Sequence, residues 1–140
     1  MKAYLSRRYG MSASHRLHTE HYSAEKNHEV YGKCNHPHGH GHNYTVEVMV
    51  SGQVDPVTGM VCDLGLLDGF MRREVVERFD HKNLNFDEVF QAIVPTTENL
   101  CVEIYRVIQS GFPYAKLEKV RVEETSKNFF EYSGRERSEE

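Results

Sequence analysis

The first residues of the chain alternate. In "KAYLSRRYGMSASH" (residues 2–15) Ala3, Leu5, Tyr9, Met11 and Ala13 share one parity, broken only by Arg7. Successive side chains of a strand point to opposite faces, so the pattern predicts a strand with one buried face. His15 falls on that apolar parity. Residues 16–36 lose any period and read as a long polar excursion, with a short helix near "SAEKNHEVYG". From Gly39 the alternation returns, with Tyr44, Val46, Val48 and Val50 set against Thr45 and Glu47, and predicts a second strand. "SGQVDPVTGM" is rich in turn formers and predicts a hairpin into a third strand at "MVC".

The period then becomes helical. Asp63 can cap a helix whose apolar ridge is Leu64, Leu67, Phe70, Met71 and Val75, although Gly65 and Gly69 weaken it. "FDHKNLN" ends that helix. Pro95, Thr96 and Thr97 open a second one, with the ridge Leu100, Ile104, Val107 and Ile108 stopped by Gly111 and Pro113. "KLEKVRVEET" and "NFFEYSG" read as a closing pair of strands. The order β, β, (β), α, α, β, β predicts an α+β fold, with helices on one face of an antiparallel sheet.

Composition narrows the function classes. With 140 residues, 39% of them hydrophobic, the chain fits one domain over residues 1–134 and a polar tail at 135–140, part of an ending "SGRERSEE" that should fray. A net charge of -4 leaves no basic face for nucleic acid. No apolar run approaches the ~20 residues that span a bilayer, so no membrane partner is expected. The N-terminus is too polar for a secretion signal, which makes a cytoplasmic location the expectation. Cys34, Cys62 and Cys101 form no disulfide framework. Cys62 and Cys101 lie among apolar positions as small core residues, whereas Cys34 sits in a polar loop and is the one thiol placed for chemistry.

The chemistry concentrates in "GKCNHPHGHGHNY", residues 32–44, where His36, His38, His40 and His42 alternate. His40 and His42 are two apart on a strand and share the inner parity of Tyr44 and Val46. If the first two strands pair, His15 joins them at the rim of the core. An unpaired buried polar group there costs about 1–3 kcal/mol. A metal gives every ring nitrogen a partner, and three histidines with an open position are the pattern of a catalytic zinc. On spacing alone, two loop histidines bonded to nearby backbone explain His40 and His42 equally well; the matching parity of His15 favours the metal. His36 and His38 precede Gly39 and flank Pro37, and read as loop residues, like His18, His21 and His28. Glu124 shares the inward parity of Val120 and Val122, while Glu123 faces outward.

The segments "MSASHRL", "GKCN", "GHGHNY", "DPVTGMV", "FDHKNLN", "TTEN" and "VRVEET" occur in that order. As an ordered set they closely resemble the 6-pyruvoyltetrahydropterin synthase family, from about Tyr4 to Gly134. A relative with the same fold and metal site is 6-carboxytetrahydropterin synthase, of the queuosine pathway. The resemblance implies a tunnelling fold (T-fold): an antiparallel four-stranded sheet carries two helices on one face. Subunits join their sheets into a barrel, and two trimers stack into a homohexamer with active sites between subunits. It implies Zn2+ on His15, His40 and His42, a catalytic Cys34, Asp80 and His81, a pterin-anchoring Glu124, and a pterin pocket lined by Thr96, Thr97 and Glu98.

The family reaction converts 7,8-dihydroneopterin triphosphate to 6-pyruvoyltetrahydropterin with loss of triphosphate, a carbon–oxygen lyase step of tetrahydrobiopterin biosynthesis. It is an internal redox reaction, and the chain has no GxGxxG motif that would hold a nicotinamide. Cys34 is the expected general base, because a thiol near a dication can be deprotonated at neutral pH. Asp80 and His81 are neighbours in sequence, so their side chains are expected to diverge rather than touch. Without the resemblance, "DH" at a helix end reads as an imidazole interacting with the helix dipole. The alternatives are a 6-carboxytetrahydropterin synthase releasing acetaldehyde and triphosphate and, more distantly, a non-catalytic histidine-rich metal-binding protein. Five residues separate Cys34 from His40, as in the pyruvoyl enzymes; the carboxy enzymes typically have fewer. His36 and His38 depart from the family pattern, which more often has asparagine there. Arg16, Lys33 and Lys127 are cationic candidates for gripping the triphosphate.

Overall fold

The computed structural model describes residues 1–134; the tail expected at 135–140 lies outside them. The two alternating segments form β1 (Lys2–His15) and β2 (His40–Gln53), antiparallel over their whole length from Lys2 opposite Gln53 to His15 opposite His40. Between them the polar excursion folds into α1 (Ala24–Tyr31) and one 3-10 turn, Gly32–Asn35. A long rod follows: α2 (Leu64–Met71), a π turn over Arg72–Val76, and α3 (Glu77–Phe79). Then come a two-residue β3 (Lys82–Asn83), α4 (Thr97–Gly111), β4 (Lys116–Thr125) and β5 (Asn128–Tyr132). The sheet order is β3-β1-β2-β4-β5.

Two expectations are corrected. No strand forms at "MVC": Asp55 accepts from the amides of Val57, Thr58 and Gly59, closing a tight loop, and Cys62 tucks into the core from an irregular segment. The sheet is also not purely antiparallel and four-stranded, because β3 adds a fifth strand parallel to the end of β1, Ala13 opposite Lys82 and Ser14 opposite Asn83. Such a short bridge has no hydrophobic period of its own to announce it.

Inward residues of the sheet (Met11, Ala13, Val46, Val48, Val50, Val120, Val122) pack under Leu67, Met71, Val75 and Phe79 of the rod and Leu100, Ile104 and Ile108 of α4. Arg7, the break in the apolar parity of β1, is resolved by α2. Its guanidinium donates to both Asp68 oxygens at 2.9 and 2.8 Å, and Tyr9 donates its hydroxyl to the same carboxylate at 2.7 Å.

A second ionic knot ties the rod to α4. Arg78 donates to Asp87 and to Glu103, and Glu103 also accepts twice from Arg106. Burial pushes Glu103 up, but the Arg106 and Arg78 hydrogen bonds outweigh it and hold the carboxyl below its ordinary range. Hydrogen bonding from Arg78 lowers Asp87 in the same way. Stabilisation by such lowered carboxylates is present above their unfolded values and disappears as pH falls through the folded ones. Melting temperature is therefore expected to drop below about pH 4. Arg78→Ala should cost about 1–3 kcal/mol at neutral pH and flatten that acid dependence. Thermal denaturation across pH measures both.

Candidate active site

His15 is the last residue of β1 and is fully buried. Its Nδ1 lies 2.9 Å from the carbonyl oxygen of Pro95. A carbonyl only accepts, which assigns the proton to Nδ1 and leaves Nε2 with a bare lone pair. That Nε2 is buried and has no partner. The end of β1 is held from outside by Asn85, which accepts from the Arg16 amide at 2.7 Å and donates to the Arg16 carbonyl at 2.9 Å.

His42, opposite Ala13 on β2, sets its ring edge-on to His15, with centroids 4.9 Å apart. Its Nε2 lies 3.1 Å from Glu124 Oε1, yet off the line of a hydrogen bond, so the atom is close to a charge and still unsatisfied. Burial above all, aided by the neighbouring imidazoles and opposed by the Glu124 charge, pushes both His15 and His42 toward the neutral form, the form that ligates a cation. Glu124 reaches this point through a break in the strand register between Glu123 and Thr125. A bulge re-aims the side chain it carries.

Cys34 arrives from the other side on the 3-10 turn. Gly32 (φ 56°) ends α1 in a left-handed conformation suited to glycine. The turn is then stitched to the exit of β1. The Leu17 amide donates to the Cys34 carbonyl at 2.7 Å, the Asn35 side-chain amide donates to the Leu17 carbonyl at 2.7 Å, and Arg16 Nε donates to the Asn35 carbonyl at 3.1 Å. Gly39 (φ 82°) closes the loop, where a Cβ would stand 3.0 Å from the His15 carbonyl oxygen. The outcome is a cluster: one ligand atom each from His15, Cys34 and His42, all within 4.8 Å of one another. Two orphaned imidazole nitrogens facing a thiol fit a metal ion. Burial, then the Glu124 charge, push the Cys34 thiol up.

His40 is exposed and is not one of the three. Its ring stands beside that of His42, centroids 4.7 Å apart, on the solvent side. Thr96 caps α4 by accepting from the Asn99 amide at 3.1 Å. Thr97 is buried with its hydroxyl unpartnered, and Glu98 is exposed on the first turn. His36 and His38 stay in the loop, the His36 ring accepting from the His38 amide.

The expectation that Asp80 and His81 diverge is corrected. His81 takes a left-handed φ of 59° while its amide donates to the Ser12 carbonyl at 2.6 Å. That reversal folds its ring back, and Nδ1 comes to 3.0 Å from Asp80 Oδ2. The Ser12 amide holds the other Asp80 oxygen at 2.8 Å and, with His81, lowers the carboxyl. His81, its side chain 83% exposed, lines a concavity of about 380 Å³ on the outer face of the sheet together with Ser12, Ser14 and Asn43. Sequence reasoning missed Pro95 and the role of Asn85. A backbone carbonyl carries no residue-type signal; Asn85 could have been found inside "FDHKNLN".

A sequence model of the 6-pyruvoyl tetrahydropterin synthase family matches residues 4–135. The chain is 46% identical to the 6-pyruvoyl tetrahydrobiopterin synthase of Homo sapiens over 134 residues, covering 95% of this chain and 92% of the relative. It is 47% identical to that of Poecilia reticulata over 132 residues, covering 94% and 90%. The structure of Caenorhabditis elegans 6-pyruvoyl tetrahydropterin synthase superimposes with a TM-score of 0.91 at 42% identity, covering 96% of this chain and 97% of that one. Among the described residues no helix is long and apolar enough to cross a membrane.

Proposed function

Because the chain belongs to the 6-pyruvoyl tetrahydropterin synthase family, we propose that it converts 7,8-dihydroneopterin triphosphate to 6-pyruvoyltetrahydropterin and triphosphate, as a carbon–oxygen lyase with zinc as its metal. The observation that carries the reading is the pair of buried, unpartnered Nε2 atoms of His15 and His42 facing the Cys34 thiol.

His15 and His42 would hold the cation, with His40 swinging in from its neighbouring position as third ligand. A nitrogen-rich donor set beside a thiol suits zinc better than magnesium. A divalent cation held there supplies Lewis acidity toward a substrate oxygen and favours the thiolate of Cys34. Cys34 takes the carbon-bound proton. Glu124 orients the ring, since a carboxylate matches the 2-amino and N3–H edge of a pterin with two hydrogen bonds. The free Thr97 hydroxyl adds a polar contact beside it, at the N-terminus of α4.

Asp80 and His81 lie on the outer face of the sheet, so in this reading they serve the Cys34 of an adjoining subunit, with Asp80 orienting the ring that carries the proton. Two open sheet edges favour such an assembly. β5 is one; the other is β1 before Ala13, which β3 leaves uncovered. An unpaired edge is a template for another strand. A homohexamer built by edge pairing would cover both.

Purified protein should yield 6-pyruvoyltetrahydropterin and triphosphate from 7,8-dihydroneopterin triphosphate, identified by mass spectrometry, with one zinc per chain by elemental analysis. Acetaldehyde with a carboxylated pterin would replace this reading by the carboxy reaction. Several metals per chain without turnover would make the protein a metal buffer.

A further inference from the structure

Beside the Cys34 turn lies a cleft of about 540 Å³ lined by Arg16, His28, Lys33, Asn35, His36 and His40, with Gly32, Pro37 and Gly39 completing the lining. No carboxylate lines it. Arg7, Arg8, Arg73, Arg78 and Arg106 each meet a carboxylate, and Arg121 lies over the Phe129 ring. Among the described residues neither Arg16 nor Lys33 has an acidic partner. Arg16 is held in place by its Nε bond to the Asn35 carbonyl, which leaves the far end of the guanidinium to face the cleft. Three imidazoles complete the wall, and each ring offers an N–H in either protonation state.

Two permanent cations, one of them fixed by the backbone, together with several N–H donors and no competing acid, match an oligophosphate. We propose that this cleft binds the polyphosphate chain of the substrate, through Arg16 and Lys33 and with the rings of His28 and His36 as donors. The proposal deepens, and rests on, the reaction proposed above. Its position accounts for delivery. Lys33 and Asn35 flank Cys34 in the chain, and the His40 ring at the inner wall stands 4.7 Å from that of His42. A phosphate seated in the cleft therefore leaves the carbons attached to it beside the thiol and the metal ligands. Lys127, the third cation singled out in the sequence, lies in the β4–β5 turn and lines no part of the cleft.

Calorimetric titration of the zinc-loaded full chain with inorganic tripolyphosphate tests this, with zinc content measured before and after so that chelation is not taken for binding. Unphosphorylated 7,8-dihydroneopterin is titrated in parallel. The wild type should bind one tripolyphosphate per chain, more weakly as salt rises. Lys33→Ala should weaken it about tenfold or more, because a charge-assisted contact is lost. Lys33→Glu should abolish it. Lys33 is an exposed residue, so these variants keep the fold; Arg16→Gln should weaken binding as Lys33→Ala does. Lys127→Ala should bind like wild type, and dihydroneopterin affinity should not move in the Lys33 variants. Undiminished tripolyphosphate binding by Lys33→Glu, equal weakening by Lys127→Ala, or no binding by the wild type would each overturn the proposal. If tripolyphosphate binding depends on Lys33 but no pterin product forms, the cleft stands and the reaction assigned above does not.

Discussion

Cys34→Ala is expected to lower turnover of 7,8-dihydroneopterin triphosphate by about 10²–10⁴-fold, the usual contribution of a positioned acid or base, while zinc content stays at the wild-type level. The thiol is held by four backbone and side-chain bonds that do not involve its sulfur: Leu17 to Cys34, Asn35 to Leu17, Arg16 to Asn35, and the contact of the Asn35 amide with His18 Nδ1 at 3.1 Å. Removing Sγ therefore leaves the turn in place, and any loss of rate reports on the sulfur alone. Dihydroneopterin should bind Cys34→Ala as it binds wild type, because Glu124 and Thr97 are untouched. The informative failure is loss of zinc in this variant. It would make the thiol a ligand rather than the base, an outcome for which the 4.8 Å cluster of His15, Cys34 and His42 leaves room. Running His40→Ala alongside separates the two: as third ligand, His40 should be the residue whose loss releases zinc.

His15→Ala should do more, removing the metal and the activity together. A residue that only supports a ligand typically costs 10–100-fold in metal affinity when lost; in the proposed reading His15 is itself a ligand, so the drop should exceed about 100-fold. Its Nδ1 bond to the Pro95 carbonyl fixes both the tautomer and the aim of Nε2, which is why the site can wait preformed. Competition with a zinc chromophore, read by absorbance, gives the affinity without reference to turnover. The control is the metal-free melting temperature of the variant. If the variant folds and still binds zinc with wild-type affinity, His15 is not a ligand and the site reading is wrong. Removing the histidine also frees the Pro95 carbonyl from its buried partner, so a modest fall of the metal-free melting temperature is expected as well.

The long strands were legible because burial enforces a period of two. A one-residue slip would turn Val46, Val48 and Val50 to water and Thr45 and Glu47 inward, and the same rule placed His15, His42 and Glu124 on the inner side before any coordinates. The cap at Asp63 was legible for a similar reason: an oxygen one step before a helix meets amides that have no other acceptor. Cys34 is different. Nothing periodic surrounds it, and its approach to the histidines depends on contacts between residues 16–18 and 34–35, some 18 positions apart in the chain. The Asp80–His81 contact depends on a single left-handed residue whose amide is captured by Ser12, and alternation rules do not foresee a reversal of that kind. His40 shares the parity of His42, yet it lies at the first residue of β2, where no core closes over it. Thus the amino-acid order determined the sheet, its inward face and which side chains lie on it, since solvent sorts residues by period alone. Only the tertiary structure decided what meets the ends of those strands, because a carbonyl from Pro95, a bulge at Glu124 and a turn pinned by Asn35 are each set by distant partners.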